Sequence, residues 1–252
     1  MKHERSRHEM NEMQSAFSIP ELVGTTLLDT IGLVITGIDD ALREQMKLSV
    51  NRPSGDRETQ CLGLLSSRTG AAGQIIACDD AVKATGTHIV SVELPRDTKG
   101  WGGHGSYIVL GGRTPSDVRE AVSIALDNIT RNAGEVYISE AGHLEFAFTA
   151  RAGEVVEKAF GAPVGQAFGF LAASPAAIGL VLADRALKAA PVDIVSYMTP
   201  TIGTSHSNEV ILAFSGEASA VRAAVREARA VGLPLLGAMG SPALSPGGES
   251  YI

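Results

Sequence analysis

An internal repeat of about a hundred residues limits what this chain can fold into more than any other feature of its sequence. Asp79–Ser91 (DDAVKATGTHIVS) and Asp184–Ser196 (DRALKAAPVDIVS) share seven identical positions at an offset of 105 residues. The match resumes downstream at an offset of 103, where Ile108, Val118, Arg119, Ala121 and Val122 pair with Ile211, Val221, Arg222, Ala224 and Val225. A unit of this length is too large for a solenoid repeat and has the size of a small domain. The sequence therefore predicts two similar domains in one chain.

The composition is that of an ordinary soluble globular protein. A length of 252 residues allows one large core or two small ones. A formal net charge of −7 and a pI near 5.4 argue against a nucleic-acid-binding protein, which carries a basic patch or stripe. The first residues mix both charges and precede no apolar stretch, so no secretory signal is expected and the chain should stay in the cytosol. Cys61 and Cys78 are expected to be free thiols that act as small apolar side chains, without a metal site or a cofactor.

One uncharged segment, Ala159–Ala183, is long enough to span a bilayer as a helix. Pro163, Pro175 and several glycines interrupt it. We expect a loop, a buried strand and the first turns of a helix there, and no membrane association.

The order of predicted elements repeats in both halves. After an N-terminal extension, residues 1–19, which is expected to be disordered when alone, the first domain covers residues 20–130 and the second covers residues 131–252. Strands are predicted at 30–38, 61–67, 88–94, 107–110, 143–149, 167–173, 193–198 and 210–214. Helices are predicted at 40–48, 71–85, 116–129, 152–160, 175–190 and 218–230, followed by an irregular strap from Gly232. Asp39 is expected to cap the first of these helices and Thr114 the third. The fold class is α/β (α+β), with each domain a mainly antiparallel sheet flanked by helices.

Two polar loops occupy the same place in the two copies, between the third and fourth strands predicted for each domain. Gly100–Gly105 (GWGGHG) matches a dinucleotide fingerprint, but a strand follows where the fingerprint needs a helix N-terminus, so no nucleotide is expected there. His104 and His206 lie in the two loops without any recognised catalytic signature nearby. The chain is therefore not expected to be an enzyme.

At these loops the chain resembles a known family. Val92–Gly100 (VELPRDTKG), Gly103–Gly105 (GHG), Arg151–Pro163 (RAGEVVEKAFGAP), Gly203–Glu209 (GTSHSNE) and Ser250–Ile252 (SYI) closely resemble tandem-domain shell proteins of bacterial microcompartments. The most similar members are the B-type proteins of the propanediol- and ethanol-utilisation compartments. The resemblance covers nearly the whole chain from Phe17 onward.

The resemblance implies two circularly permuted domains and a homotrimer, a flat pseudohexagonal tile beside other shell proteins. Such tiles pass small polar metabolites through pores, and the N-terminal extension of relatives is associated with encapsulated core enzymes. The implied pore-lining residues are Lys99, Gly100, Trp101, Gly102, Gly103, His104 and Gly105, with Thr199, Thr201, Ile202, Gly203, Thr204, Ser205, His206 and Ser207.

The chemistry of these residues suits a small polar solute. The hydroxyls of Thr199, Thr201, Thr204, Ser205 and Ser207 can exchange hydrogen bonds with an alcohol or an aldehyde. Lys99 and His104 would favour anions, and Trp101, bulkier than its neighbours, would narrow a channel. The alternative is a sensing or allosteric module that binds a small molecule between the paired loops without any shell.

Overall fold

The structure, a computed structural model, describes residues 20–48, 58–96, 104–132, 135–240, 242–247 and 249–252. The N-terminal extension and residues Lys99–Gly103 lie outside the described residues. Within them the chain forms two five-stranded sheets, one in each half of the sequence, and every pair of neighbouring strands is antiparallel. The predicted α/β class and the repeated order of elements are confirmed.

The two sheets have the same strand order. The first sheet has the order β1-β2-β3-β5-β4, with β1 (Leu22–Thr26), β2 (Thr30–Ile35), β3 (Cys61–Ser67), β4 (His88–Glu93) and β5 (Ser106–Gly112). The second sheet has the order β6-β7-β8-β10-β9, with β6 (Val136–Ser139), β7 (Gly142–Thr149), β8 (Ala167–Ser174), β9 (Asp193–Met198) and β10 (Val210–Gly216). The central strands are β3, which is largely buried, and β8, which is buried throughout.

The helices also repeat in order. They are α1 (Asp40–Gln45), α2 (Ala72–Ala84) and α3 (Pro115–Asn132) in the first domain, and α4 (Glu154–Phe160), α5 (Ala176–Ala189) and α6 (Ala218–Gly237) in the second. Asp39 caps α1 through its carboxylate, as predicted, and the hydroxyl of Thr114 accepts from the amide of Asp117 at the start of α3. The helices α2 and α3 pack together on the first sheet, and α5 and α6 do so on the second.

The largest differences from the prediction are two additional strands and the end of α6. The short edge strands β1 and β6 were not predicted, because each depends on hairpin pairing with the next strand and not on its own few side chains. The helix α6 was predicted to end at Ala230 but continues to Gly237, past Pro234. Full burial of Leu236 in the core of the second domain offsets the cost of a proline inside the helix.

The rest of the C-terminal strap is held by specific contacts. Leu244 and Ile138 exchange backbone hydrogen bonds at the edge of the second sheet. The buried carboxylate of Glu135 accepts hydrogen bonds from the amides of Tyr251 and Ile252 and from the guanidinium of Arg229. The terminal SYI sequence is thus held in place by hydrogen bonds to Glu135.

In β5 and β10, the structural alignment of the two domains differs by one residue from the alignment of the sequence repeat. Ile108 shares a sheet face with Gly63, which faces α3, whereas Leu212 shares a face with Gly169, which faces α6. Ile211 lies on the opposite face. The pairing of Ile108 with Ile211 is therefore wrong, and Leu212 is the structural counterpart of Ile108, because alternation along a strand assigns each residue to one face.

Both cysteines are buried and free. Burial raises the pKa of each thiol, with Asp117 adding to the effect at Cys61 and Asp79 at Cys78. Within the described ranges, no helix combines the length and apolar character needed to cross a membrane, and no cluster of residues that could hold a metal ion is found.

Candidate functional site at the domain interface

The two domains are joined by a carboxylate that caps a helix of the other domain. Gly153 precedes α4 and has no side chain to cap it. Asp79, in α2 of the first domain, accepts hydrogen bonds from the amides of Gly153, Val155 and Val156 at 2.7, 2.9 and 3.4 Å. Lys83 lies 2.7 Å from the same carboxylate and donates to the carbonyl of Arg151. A Cβ at Gly153 would lie 2.7 Å from Oδ1 of Asp79, so a side chain there would push against the capping carboxylate.

A carboxylate of the second domain likewise caps a helix of the first domain. Glu145, in β7, is buried and accepts hydrogen bonds from the amides of Ala71 and Ala72, at the start of α2, at 2.9 and 2.8 Å. Burial raises the pKa of Glu145, and the two amides only partly counteract that effect. Each domain therefore satisfies helix-end amides of the other, which ties their relative position to hydrogen-bond geometry.

The predicted loops of the two domains meet at this interface. Arg96, after β4, donates to the carbonyl of Ser205 at 3.4 Å, and His104, before β5, contacts Glu209, before β10. Of the predicted residues in the first loop, only His104 and Gly105 are described, and both are buried. A Cβ at Gly105 would lie 2.1 Å from the carbonyl oxygen of Ser67, which explains the glycine.

The second loop, Thr199–Ser207, is closed by its own hydrogen bonds. The backbones of Thr199 and Ile202 exchange two hydrogen bonds of 2.8 and 2.9 Å. Thr204 and Ser207 are fully buried, and the Thr204 hydroxyl donates to the Thr199 carbonyl at 2.7 Å. The residues of this loop that reach the surface are Thr201, Ile202, Gly203, Ser205 and His206, with Thr199 half-buried. The hydroxyls available to a solute are therefore chiefly those of Thr201 and Ser205.

Behind the loops lies a buried clamp, which we define as His104, Glu209 and His143. Nδ1 of His104 lies 2.5 Å from one carboxylate oxygen of Glu209, and Nε2 of His143 lies 2.8 Å from the other. All three side chains are less than a tenth exposed. The clamp joins the β4–β5 loop of the first domain to the β9–β10 loop and to β7 of the second. Its geometry corrects the expectation that His104 favours anions, because the buried imidazole already faces a carboxylate.

Burial alone would raise the pKa of Glu209, but hydrogen bonds and charge from both imidazoles outweigh burial and hold that pKa at about 2. The sequence missed Glu209 and His143 as site residues. The only signal was a carboxylate two residues after Ser207 in a polar loop, and nothing in the sequence placed His143 beside it. The arrangement can hold two loops together, but among the described residues it offers no exposed nucleophile beside a base.

The depressed pKa of Glu209 predicts an acid-sensitive contribution to stability. Because the folded pKa lies below the ordinary value of 4.5, this contribution is complete above pH 4.5 and is lost as the pH falls toward 2. At 1.36 kcal/mol per pH unit it amounts to about 3 kcal/mol. Urea unfolding of Glu209→Gln at fixed protein concentration should show lower stability at pH 7 and a weaker loss on acidification than the unsubstituted chain. Glu227→Gln is the control, because its partly exposed carboxylate on α6 pairs with Arg185 of α5 and not with the clamp. Parallel pH curves for Glu209→Gln and the unsubstituted chain would contradict the assignment.

Comparison with family models matches residues 61–141 and 167–242 to the BMC domain. Both matched segments begin at the third strand of a sheet, β3 or β8. The strand and short helix directly before each segment, β2 and α1 or β7 and α4, lie outside the match. This placement agrees with the permuted order expected from the sequence.

Named relatives were found by sequence and by structure. Over 228 residues the chain is 50% identical to the bacterial microcompartment shell protein PduB of Citrobacter freundii, which covers 90% of this chain and 82% of that protein. The crystal structure of a trimeric bacterial microcompartment shell protein PduB matches with a TM-score of 0.85 at 45% identity, over 93% of this chain and all of that chain. EtuB from Clostridium kluyveri matches with a TM-score of 0.86 at 43% identity, with the same coverage. The alternative of a sensing module finds no support among these relatives.

Proposed function

Since this chain belongs to the BMC-domain family of bacterial microcompartment shell proteins, we propose that three copies close into a ring of six domains that forms one tile of a shell. The family expected from the sequence is confirmed, and with it a structural role in the shell. The exposed helix faces of the chain support the ring, and its exposed loop residues support the pores and their solutes.

The observation that carries the ring is a difference between two equivalent helix faces. In α2, Ile75 and Ile76 are buried, at 0% and 3% exposure, and α2 packs on α4 of the other domain. At the repeat offset the same positions of α5 are Leu180 and Val181, which are 55% and 44% exposed. The helix α5 thus presents an uncovered copy of the surface that α2 buries within the chain. An exposed apolar patch of this kind marks an interaction site.

The first domain offers the matching surface. In α4, Val155 and Val156 are buried where α2 packs, and at the same distance after the helix cap α1 has Ala41 and Leu42, which are exposed. If α5 of one copy packs on α1 of the next, the contact within the chain is repeated between chains. A repeated head-to-tail contact closes into a ring when its rotation allows, and the trimeric relative supports closure with three chains.

The paired loops are the parts of the chain that we assign to the pores. Thr201 and Ser205 supply exposed hydroxyls, and Ile202 is 64% exposed beside them. Hydroxyls that both donate and accept suit a small alcohol or aldehyde. We assign Lys99–Gly103 to the same pore lining on sequence alone.

The role proposed for the tile is passive. We propose that it performs no catalysis and needs no cofactor, that its partners are other shell proteins, and that residues 1–19 contact encapsulated enzymes. The net charge of −7 gives no support to a nucleic-acid partner.

Two measurements test the function. Light scattering of the full chain should give three times the chain mass. In assembled shells, Trp101→Ala should raise entry of a small diol by at least about two-fold, followed by turnover of an encapsulated enzyme, because a narrower pore limits flux. Leu235→Ala, on the surface of α6, is the control. A monomer would overturn the ring, whereas unchanged flux would overturn only the pore assignment.

A further inference from the structure

We propose that Glu209 is a positioning residue that sets the shape of the loop Thr199–Ser207 by tying it to the β4–β5 loop through His104 and to β7 through His143. The consequence for solute passage rests on the proposed function. The coupling between the loops rests on the contacts of a single chain.

The loop is held in a conformation that its own residues disfavour. Ser205 and His206 have φ values of 50° and 62°, in the left-handed region that residues other than glycine adopt only at a cost. The amide of Ser207 donates to the carbonyl of Thr204 at 2.9 Å, which closes a turn with Ser205 and His206 at its centre. Because this turn is strained at both central residues, contacts on either side of it must hold its ends in place.

The contacts that can do so lie on either side of the strained pair. Arg96 binds the carbonyl of Ser205 from the first domain. Glu209 follows Ser207, whose carbonyl accepts from the Glu209 amide at 2.8 Å and whose hydroxyl donates to the Glu209 carboxylate at 3.5 Å. Because the carboxylate is anchored by two imidazoles, the end of the loop cannot move without breaking a buried charged contact.

The charged neighbours of the clamp support this role. The titratable groups that act on Glu209 are His104 and His143, and Glu145 on β7 is coupled electrostatically to both His143 and Glu209. The carboxylate of Glu145 already accepts hydrogen bonds from the amides of Ala71 and Ala72. Loss of the Glu209 charge would leave the two imidazoles without the carboxylate that holds them together.

The first domain has no carboxylate at the position equivalent to Glu209. With β5 and β10 aligned through Ile108 and Leu212, Gly105 occupies the place of Glu209, and it has no side chain. The clamp is therefore specific to the β9–β10 loop of the second domain.

Amide hydrogen exchange of the full-length oligomer tests the proposal. In Glu209→Gln, amides of residues 201–208 should exchange at least about ten-fold faster while those of α6 stay unchanged, because local opening no longer breaks a buried charged contact. Glu227→Gln is the matched control. His104→Ala, which removes only the clamp contact that crosses between the domains, should show the same change and replaces Glu209→Gln if that variant does not assemble.

A rescue separates positioning from general destabilisation. Adding His206→Gly to Glu209→Gln should restore about five-fold of the lost protection, because glycine adopts the left-handed conformation without strain. Loop exchange within two-fold of the Glu227→Gln control in both clamp variants overturns the proposal, as does a double variant that exchanges no more slowly than Glu209→Gln. Neither result depends on solute flux, so the proposed pore stands or falls separately.

Discussion

A chain carrying Val181→Asp is expected to fold normally but to remain a monomer. Val181 is exposed on the isolated chain, whereas Ile76, its counterpart in α2, is buried against the second domain. In the ring the substitution would bury an unpaired carboxylate at each of three contacts between chains. We expect a loss of at least about 3 kcal/mol per contact, which weakens each contact by roughly a hundred-fold. Light scattering at micromolar concentration measures the mass.

The matched control is Ala223→Asp, which places the same residue on an exposed position of α6, a helix that takes no part in the proposed α5–α1 contact. This control should keep the oligomer, and both variants should keep the circular dichroism of the parent chain. If Val181→Asp has the same mass as the control, the face formed by Leu180 and Val181 is not the contact between chains.

Asp79→Ala is expected to destabilise the fold by about 3 kcal/mol, through the interface between the domains. The substitution removes the acceptor for three amides at the start of α4 and the partner of Lys83. A lost helix cap costs about 1 kcal/mol, and each amide left buried without a partner adds about as much or more. Urea unfolding at matched protein concentration measures the difference.

The repeat itself supplies the control for this experiment. Asp184 is the sequence counterpart of Asp79, but its side chain is more than half exposed and pairs with Lys188 on its own helix. With both substitutions made in the Val181→Asp background, where α5 is expected to stay uncovered, Asp184→Ala should change the stability by less than about 0.5 kcal/mol, as is typical of surface ion pairs. Equal losses in the two variants would mean that the carboxylate of Asp79 does not act through the other domain.

Most of the fold was predictable because it depends on local patterns. The alternating and apolar runs around Cys61–Ser67 and Ala167–Ala173 predicted the central strands, and Asp39 and Thr114 predicted helix starts that the structure confirms. The misses depend on partners distant in the sequence. The strands β1 and β6 need a hairpin partner, and α6 passes Pro234 because Leu236 is buried in the core of its domain.

In the candidate site, too, the predictable features are local and the missed features depend on residues distant in the sequence. The loop residues were predicted from their shared place in the repeat and from the family resemblance, and their assignment to a pore stays a prediction. The sequence showed His104 and His206 as similar loop histidines, yet His104 is buried against Glu209 and His206 is exposed. Their difference depends on which groups the other domain brings near, and a linear pattern carries no such information.

The sequence by itself determined that this chain contains two copies of one domain, because identical residues at a nearly constant offset require a repeated fold. Only the tertiary structure decided how the copies differ. The same helix face is buried in α2 and exposed in α5, and equivalent aspartates become a buried cap at Asp79 and a surface ion pair at Asp184. The physical reason is that burial and hydrogen-bond partners belong to the packed interface, and one chain with two domains has one internal interface and two uncovered ends.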